Sequence, residues 1–211
     1  MGAQKNCICV ISHYPQEEWV NFLSQFSCYD TYLTIDDNSV DCKQLYSNSN
    51  VTIIQDGETN CEIAGFKHLI SEEHPTKPIS GWEKALYYFS YINPNYDHVW
   101  FLEADTFFYG EETLLKIDQR HSGINLLCPY VTCNKTGKTE PLDWKWLNIH
   151  TKTPIQLSPP WYAGLPGALR MSNSLIKSIK TYAQEHKTLF YLEAAFPTIC
   201  VANKLTYLNI D

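Results

Sequence analysis

Glu103 and Asp105 stand one residue apart at the end of the apolar run His98-Val99-Trp100-Phe101-Leu102. A run of this kind reads as a buried strand, and residues at i and i+2 of a strand lie on one side. Both carboxylates can therefore face a single hard divalent cation, each directly or one of them through water. Oxygen ligands suit Mg2+ or Mn2+. In open α/β sheets ligands gather beyond the carboxyl ends of the strands, which is where this pair would lie. An isolated Glu-x-Asp is more often only the solvated end of a strand, so the weight falls on the elements around it.

The chain has 211 residues, a length that fits one α/β domain better than two small ones. Hydrophobic residues at 44% and charged residues at 18% mark a globular rather than a disordered chain. Tyrosine and tryptophan are abundant, 14 and 6 residues, and their rings can pack a core or stack on sugars and bases. A formal net charge of -7 excludes a broad electrostatic grip on nucleic acid. It leaves room for a phosphorylated ligand whose charge is offset by a metal ion. Eight cysteines occur without a C-x-x-C pair, several of them inside apolar runs, so buried free thiols in a reducing compartment are expected. Met1 to Asn6 is polar and the apolar stretch after it is short, which predicts no secretory leader, no membrane insertion and a cytoplasmic location.

Cys7 to Ser12 reads as a strand, His13-Tyr14-Pro15 as a turn, and Gln16 to Phe26 as a helix with Trp19, Val20, Leu23 and Phe26 at helical spacing. Tyr29 to Ile35 and Val51 to Ile54 read as strands ending in Asp36-Asp37-Asn38-Ser39 and near Asp56-Gly57. Pro78 to Ile92 is the strongest helix, with Ile79, Trp82, Ala85, Leu86 and Phe89 on one face and Pro94 past its end. The alternation implies a mostly parallel sheet with helices on both faces. Beyond Asp105 the pattern predicts a helix over Glu111 to Gln119, a strand over Ile124 to Val131 and a long irregular excursion over Lys135 to Ser158. A tight Pro-Gly segment from Pro159 to Gly167 comes next, then a strand over Ala168 to Met171 and helices over Ser172 to Glu185 and Tyr191 to Asn203.

Taken together, Glu103-Ala104-Asp105 at a strand end and the acidic turn Ile35-Asp36-Asp37-Asn38-Ser39 resemble the signature of the nucleotide-sugar glycosyltransferases of the GT-A fold. Glu103 stands where that family's D-x-D-like triplet usually begins with Asp. More narrowly, the chain looks like the amino-terminal glycosyltransferase domain of a large multidomain chlorovirus protein that builds capsid glycans. The resemblance covers nearly the whole chain. It implies a GT-A (Rossmann-like) α/β fold: a mixed, mostly parallel central sheet flanked by helices, in one domain. The nucleotide-binding half would run over about residues 1–108 and the acceptor half over about 109–211. It further implies a sugar-transfer role, with a deoxyhexose such as L-rhamnose in view, and a segment of a longer polypeptide acting in the host cytoplasm.

Roles follow residue by residue. Asp105 would hold Mn2+ or Mg2+ directly and Glu103 would assist or hold the ribose. The metal would stabilise the departing diphosphate. Ser12, His13 and Tyr14 would line the nucleotide pocket, His13 or Tyr14 stacking on a base that family frequency makes uridine, and Asp36 or Asp37 would contact the nucleoside. Glu193, an acid within Phe190-Tyr191-Leu192-Glu193-Ala194-Ala195-Phe196-Pro197, is the candidate general base of an inverting transfer, ahead of Asp143 and Asp211. Gly164 and Gly167 could bring backbone close to the donor, and Trp82 and Lys84 could reach it from the preceding helix. Trp161 and Tyr162 could offer a face to a pyranose, and Arg170 could offset phosphate charge or form a surface ion pair. The partners implied are a nucleoside-diphosphate sugar and a glycan or glycoprotein acceptor. A non-catalytic nucleotide-sugar or glycan-binding module of the same fold is the competing reading. A Rossmann-type methyltransferase or dehydrogenase is disfavoured, because either predicts a glycine-rich turn after the first strand and Ser12-His13-Tyr14-Pro15 holds no glycine.

Overall fold

In the computed structural model, which describes residues 4–70, 79–138 and 155–210, the apolar runs become strands of one central sheet. The strands are β1 (Asn6–Ser12), β2 (Asp30–Ile35), β3 (Thr52–Ile54), β4 (His98–Glu103), β5 (Leu126–Cys128), β6 (Val131–Asn134), β7 (Trp161–Gly164), β8 (Ala168–Ser172) and β9 (Tyr207–Asn209). Seven of them order as β3-β2-β1-β4-β8-β5-β9, while β6 and β7 pair as a separate antiparallel ribbon. The sheet is mixed and mostly parallel: β8 alone runs against its neighbours β4 and β5.

Alternation along the strands divides the core in two. Cys7, Cys9, Ile11, Val99 and Phe101 face one way, and Ile8, Val10, Trp100 and Leu102 the other. The second face is covered by α1 (Glu17–Leu23), α2 (Cys42–Leu45) and α5 (Glu111–Arg120), through Val20, Leu23, Cys42 and Leu114. The first is covered by α3 (Glu58–Ala64), α4 (Gly81–Tyr87), α6 (Asn173–His186) and α7 (Leu192–Ala202). All eight cysteines are free, and Cys28 and Cys133 are exposed while the other six are buried.

Helix α4 starts on a capping box. The Ser80 hydroxyl accepts from the Trp82 N–H at 3.2 Å, and the Glu83 carboxylate accepts the Ser80 N–H at 2.8 Å. It continues as a π turn over Tyr88–Ile92, closed by the Asn93 N–H on the Tyr88 carbonyl. Helix α6 is capped by the Ser172 hydroxyl, which accepts from the Leu175 N–H at 3.2 Å. In α7, Pro197 has no N–H to give to the carbonyl of Glu193 four residues earlier, which locally loosens the turn that carries Glu193.

The structure departs from the sequence reading in several places. The expected strand Ile124 to Val131 ends at Cys128, because Pro129 has no N–H for the ladder, and the chain resumes as β6. Trp161–Gly164, read as part of a tight loop, is a strand because β6 pairs with it. Arg170 is neither near a phosphate site nor on the surface. It is fully buried in β8, where Nη1 donates to Asp118 Oδ1 at 2.6 Å and Nη2 donates to the carbonyls of His121 at 2.5 Å and Ile124 at 3.2 Å. Most of the excursion read over Lys135 to Ser158, with Asp143, Trp144 and Trp146, lies outside the described residues, as does Asp211.

Candidate functional site

The chain builds outward from β1 through β2 to β3, then returns through α3 and α4 to place β4 on the other side of β1. This reversal of direction between β1 and β4 is a topological switch point, and its crevice lies at the carboxyl ends of those strands. Register sets the residues there. Ile11 lies opposite Glu103. The Ala104 N–H donates to the Ile11 carbonyl at 3.0 Å, and on the other side the Asp36 N–H donates to Ser12 at 3.0 Å and the Asp37 N–H to His13 at 2.9 Å. One edge therefore presents, in order, the turn after β2, the turn after β1 and the acids after β4.

Glu103 is half-buried and Asp105, one step past the strand, is exposed. The indole N–H of Trp82, itself buried in α4, donates to Glu103 Oε1 at 3.0 Å. Burial pushes the Glu103 carboxyl above its ordinary range; the Trp82 hydrogen bond pulls it back and the charge of Asp105 pushes it further up. The turn is tied to the strand beside it: Glu103 N–H donates to the Gly167 carbonyl at 2.8 Å, and the Thr106 hydroxyl donates to the same oxygen at 2.5 Å. A Cβ on Gly167 would lie 3.8 Å from Glu103 Oε2 and 3.9 Å from Thr106 Oγ1, so this glycine borders Glu103 directly.

The nucleotide-pocket candidates sit on the β1 and β2 turns. His13 Nδ1 lies 2.9 Å from Asp36 Oδ2, and the exposed ring of Tyr14 meets the His13 ring edge-on at 4.2 Å. Ser12 is buried, and its hydroxyl donates to the Tyr14 carbonyl at 2.6 Å, shaping the turn. Asp37 accepts from the Ser39 N–H at 2.8 Å and from its hydroxyl at 2.7 Å. Lys84 is buried beneath this turn, where its ammonium donates to the carbonyls of Ile35 at 3.2 Å and Asp36 at 3.0 Å and to Asn38 Oδ1 at 3.1 Å, and pairs with Glu58 at 3.3 Å.

On the far side of β4, Glu193 opens α7 and accepts from the Tyr191 hydroxyl at 3.1 Å. With Pro166, Leu169 and Phe196 it lines a narrow crevice. Phe196, one turn further along α7, packs on Trp82 with ring centroids 5.4 Å apart. Trp82 thus links the helix carrying Glu193 to Glu103. Gly164 lies in β7, where a Cβ would come within 2.7 Å of both Cys128 Sγ and the Tyr130 carbonyl; its close approach is to the protein itself. Trp161 donates its indole N–H to Leu157, and Tyr162 packs against Tyr207 at 5.8 Å. Sequence reasoning missed Thr106, which no local signal marks, and the Trp82 to Glu103 bond, which spans 21 positions.

Among the described residues no group of three or more His, Cys, Asp or Glu side chains converges on one point. A two-carboxylate donor set still fits Mg2+ or Mn2+, which keep several waters and take phosphate oxygens as further ligands rather than demanding an all-protein cage. Glu103 and Asp105 are the residues that would hold such an ion.

No family model matches the chain. No curated protein matches it in sequence. Among solved structures it is similar to mouse xyloside xylosyltransferase 1, at 10% identity over 98% of this chain and 85% of that one, with a TM-score of 0.46. It is similar to 4-diphosphocytidyl-2C-methyl-D-erythritol synthase of Anaerococcus prevotii, at 11% identity over 97% and 87% with a TM-score of 0.50. It is also similar to core-mannan synthase A of Aspergillus fumigatus in its Mn/GDP form, at 8% identity over 97% and 70% with a TM-score of 0.38. At such identities the likeness is one of fold. That fold is GT-A-like (Rossmann-like) α/β, a single domain on a mixed, mostly parallel sheet. Among the described residues no helix is long and apolar enough to cross a membrane.

Proposed function

We propose that the protein is a metal-dependent glycosyltransferase that moves a hexose or deoxyhexose, L-rhamnose among the candidates, from a UDP-linked donor to a glycan or glycoprotein acceptor with inversion. The observation that carries this reading is the pair Glu103 and Asp105 at the carboxyl end of β4, beside the turn after β1 and with Glu103 held by Trp82. The capsid-glycan context and the host cytoplasm rest on the narrower sequence resemblance alone.

Breaking the bond between an anomeric carbon and a diphosphate leaves negative charge on the leaving group. A bound divalent cation supplies the positive charge that offsets it. Asp105, exposed, and Glu103, half-buried, would hold that cation, with Trp82 fixing the direction of the Glu103 carboxylate. Tyr14 and the His13 and Asp36 pair would take the nucleoside on the β1 and β2 side. Glu193 would receive the acceptor hydroxyl proton from the β8 side of the sheet, its carboxylate oriented by the Tyr191 hydroxyl. Donor and acceptor then approach the acids from opposite sides along the sheet edge.

A nucleotidyltransferase is the second reading, favoured by the superposition on the synthase. Against it, the turn Ser12-His13-Tyr14-Pro15 has no glycine, Lys or Arg to cradle a triphosphate, and its His13 is engaged by Asp36. The test is turnover with Mn2+ of a panel of nucleoside-diphosphate sugars beside nucleoside triphosphates plus sugar phosphates. Release of nucleoside diphosphate from one sugar donor, lost in Asp105→Ala, supports the transferase; pyrophosphate release from a triphosphate supports the rival. Nucleotide binding without turnover in either arm supports the non-catalytic module.

A further inference from the structure

Lysines are almost never fully buried, yet the whole side chain of Lys84 is. It stands three residues after Gly81, on the same face of α4. A Cβ on Gly81 would come within 3.0 Å of the Ile11 side chain and 3.8 Å of the Ser12 carbonyl, so this face sits directly on the end of β1. From there the ammonium reaches the turn after β2. The ladder between β1 and β2 stops at Ile35, opposite Ser12, and carbonyls from there on must find other donors. An ammonium has three N–H groups, and Lys84 gives them to the carbonyls of Ile35 at 3.2 Å and Asp36 at 3.0 Å and to Asn38 Oδ1 at 3.1 Å. Buried Gln55 serves the rest of the turn, donating to the carbonyls of Asp37 at 2.8 Å and Val40 at 2.6 Å. Glu58 brings the counter-charge to 3.3 Å from Lys84 Nζ, and its Oε1 also accepts from Asn38 Nδ2 at 3.1 Å.

We infer that Lys84 is a positioning residue of the nucleoside subsite, holding the Asp36 and Asp37 turn against the His13 and Tyr14 turn without touching the donor. All three of its N–H groups are used within the protein, so none is left for a phosphate or a sugar hydroxyl. What it fixes is the backbone that carries Asp37 and Asp36, whose carboxylate meets His13 Nδ1 at 2.9 Å. A buried charge held only for packing would be costly beside an apolar side chain of similar volume. Its place directly under this turn gives that cost a use. Trp82, two residues earlier, serves Glu103 in the same way, so one turn of α4 sets both the cation side and the nucleoside side of the crevice.

This inference rests on the nucleotide-binding part of the transferase reading, and the two fail separately. The probes are UDP and inorganic pyrophosphate, each titrated with Mn2+ present; pyrophosphate engages the cation but has no nucleoside. The unaltered protein is expected to bind both. Lys84→Met should bind UDP about tenfold or more weakly and pyrophosphate within about twofold of the parent, and the donor KM should rise at unchanged kcat. A merely structural role would lower the melting temperature and leave that split unmoved. Where Lys84→Met does not fold, Glu58→Ala answers instead. It removes the counter-charge and the Asn38 tether from a partly exposed position at the start of α3, and should weaken UDP binding about threefold or more with pyrophosphate again unaffected. The inference is overturned if the folded variant binds UDP as tightly as the parent, if UDP and pyrophosphate are weakened equally, or if the unaltered protein does not bind UDP. Failure of the transferase reading is seen instead as absent turnover of every sugar donor by the unaltered protein while the UDP titration stands.

Discussion

The indole N–H of Trp82 points at Glu103 Oε1 from 3.0 Å, joining a buried helix residue to the first of the two strand-end acids. The same ring packs against Phe101 of β4 at 5.8 Å and Phe196 of α7 at 5.4 Å, so its orientation is set by three elements. A carboxylate aimed this way does not have to be reoriented when a ligand arrives.

Trp82→Phe keeps a ring and removes the donor. Hydrogen bonds to charged groups contribute about 1.5–3 kcal/mol, so Mn2+-dependent UDP binding by the variant should weaken about tenfold or more in calorimetric titration. Trp82→Ala would confuse this with a cavity costing about 3–5 kcal/mol, which is why Phe is the informative change.

The pH dependence follows from the direction in which Glu103 is shifted. Its folded-state pKa lies above the ordinary 4.5, mainly through burial. The native state thus holds more protons than the unfolded chain between that value and the raised one, and the metal-free protein loses stability as pH rises through this window. Buried Glu83 is shifted in the same direction, again by burial. Metal binding has the opposite sign, since it needs the carboxylate form and strengthens as pH rises. Because buried His98, shifted down by burial, has the opposite sign, the Glu103 contribution is read as a difference: without metal the parent's melting midpoint should fall relative to that of Glu103→Gln as pH rises above 4.5, and the Mn2+-induced increase of the parent should grow. Glu103→Gln should reduce that increase.

Buried Asp118 accepts from Asn6 at 2.7 Å, Tyr29 at 2.7 Å, Trp100 at 3.1 Å and Arg170 at 2.6 Å. Asp118→Ala leaves the Arg170 guanidinium buried without its counter-charge, a loss expected to cost about 3–5 kcal/mol in chemical denaturation. Asp118→Leu combined with Arg170→Met should recover much of that loss. If the single variant proves as stable as the parent, the pair does not hold β8 and α5 together.

Gly167→Ala separates folding from function. The added Cβ would make ordinary van der Waals contact with Glu103 and Thr106, so the melting temperature should hold while the donor KM rises. Gly65→Ala is the contrasting change: its Cβ would meet the Ala183 carbonyl at 2.2 Å, at a φ of 85°. It should be strongly destabilised, and equal melting temperatures for the two variants would refute the distinction.

Features with a local period were legible in the sequence. The apolar run His98 to Leu102 marked β4, the apolar face Ile79, Trp82, Ala85, Leu86 and Phe89 marked α4, and alternating strands and helices implied the mostly parallel sheet; the i and i+2 strand relation of Glu103 and Asp105 does not hold, because β4 ends at Glu103 and Asp105 lies in the turn that the Thr106 N–H closes on the Glu103 carbonyl. What escaped depends on partners distant in the chain. Arg170 read as a surface or phosphate residue because nothing near it in sequence reveals Asp118, 52 positions away. β7 is a strand only because β6 lies beside it, and β9, three residues long, has too little pattern to detect. Gly164 and Gly167 looked equivalent within one tight segment, yet the first packs against Cys128, Tyr130 and Val131 and the second borders Glu103.

Calorimetric titration of UDP into the protein, with and without Mn2+, tests the role of Asp105 most directly. Binding should appear only with Mn2+ and should vanish in Asp105→Ala while that variant stays folded. UDP binding of equal strength without the cation, or retained in Asp105→Ala, would contradict a metal held at that aspartate.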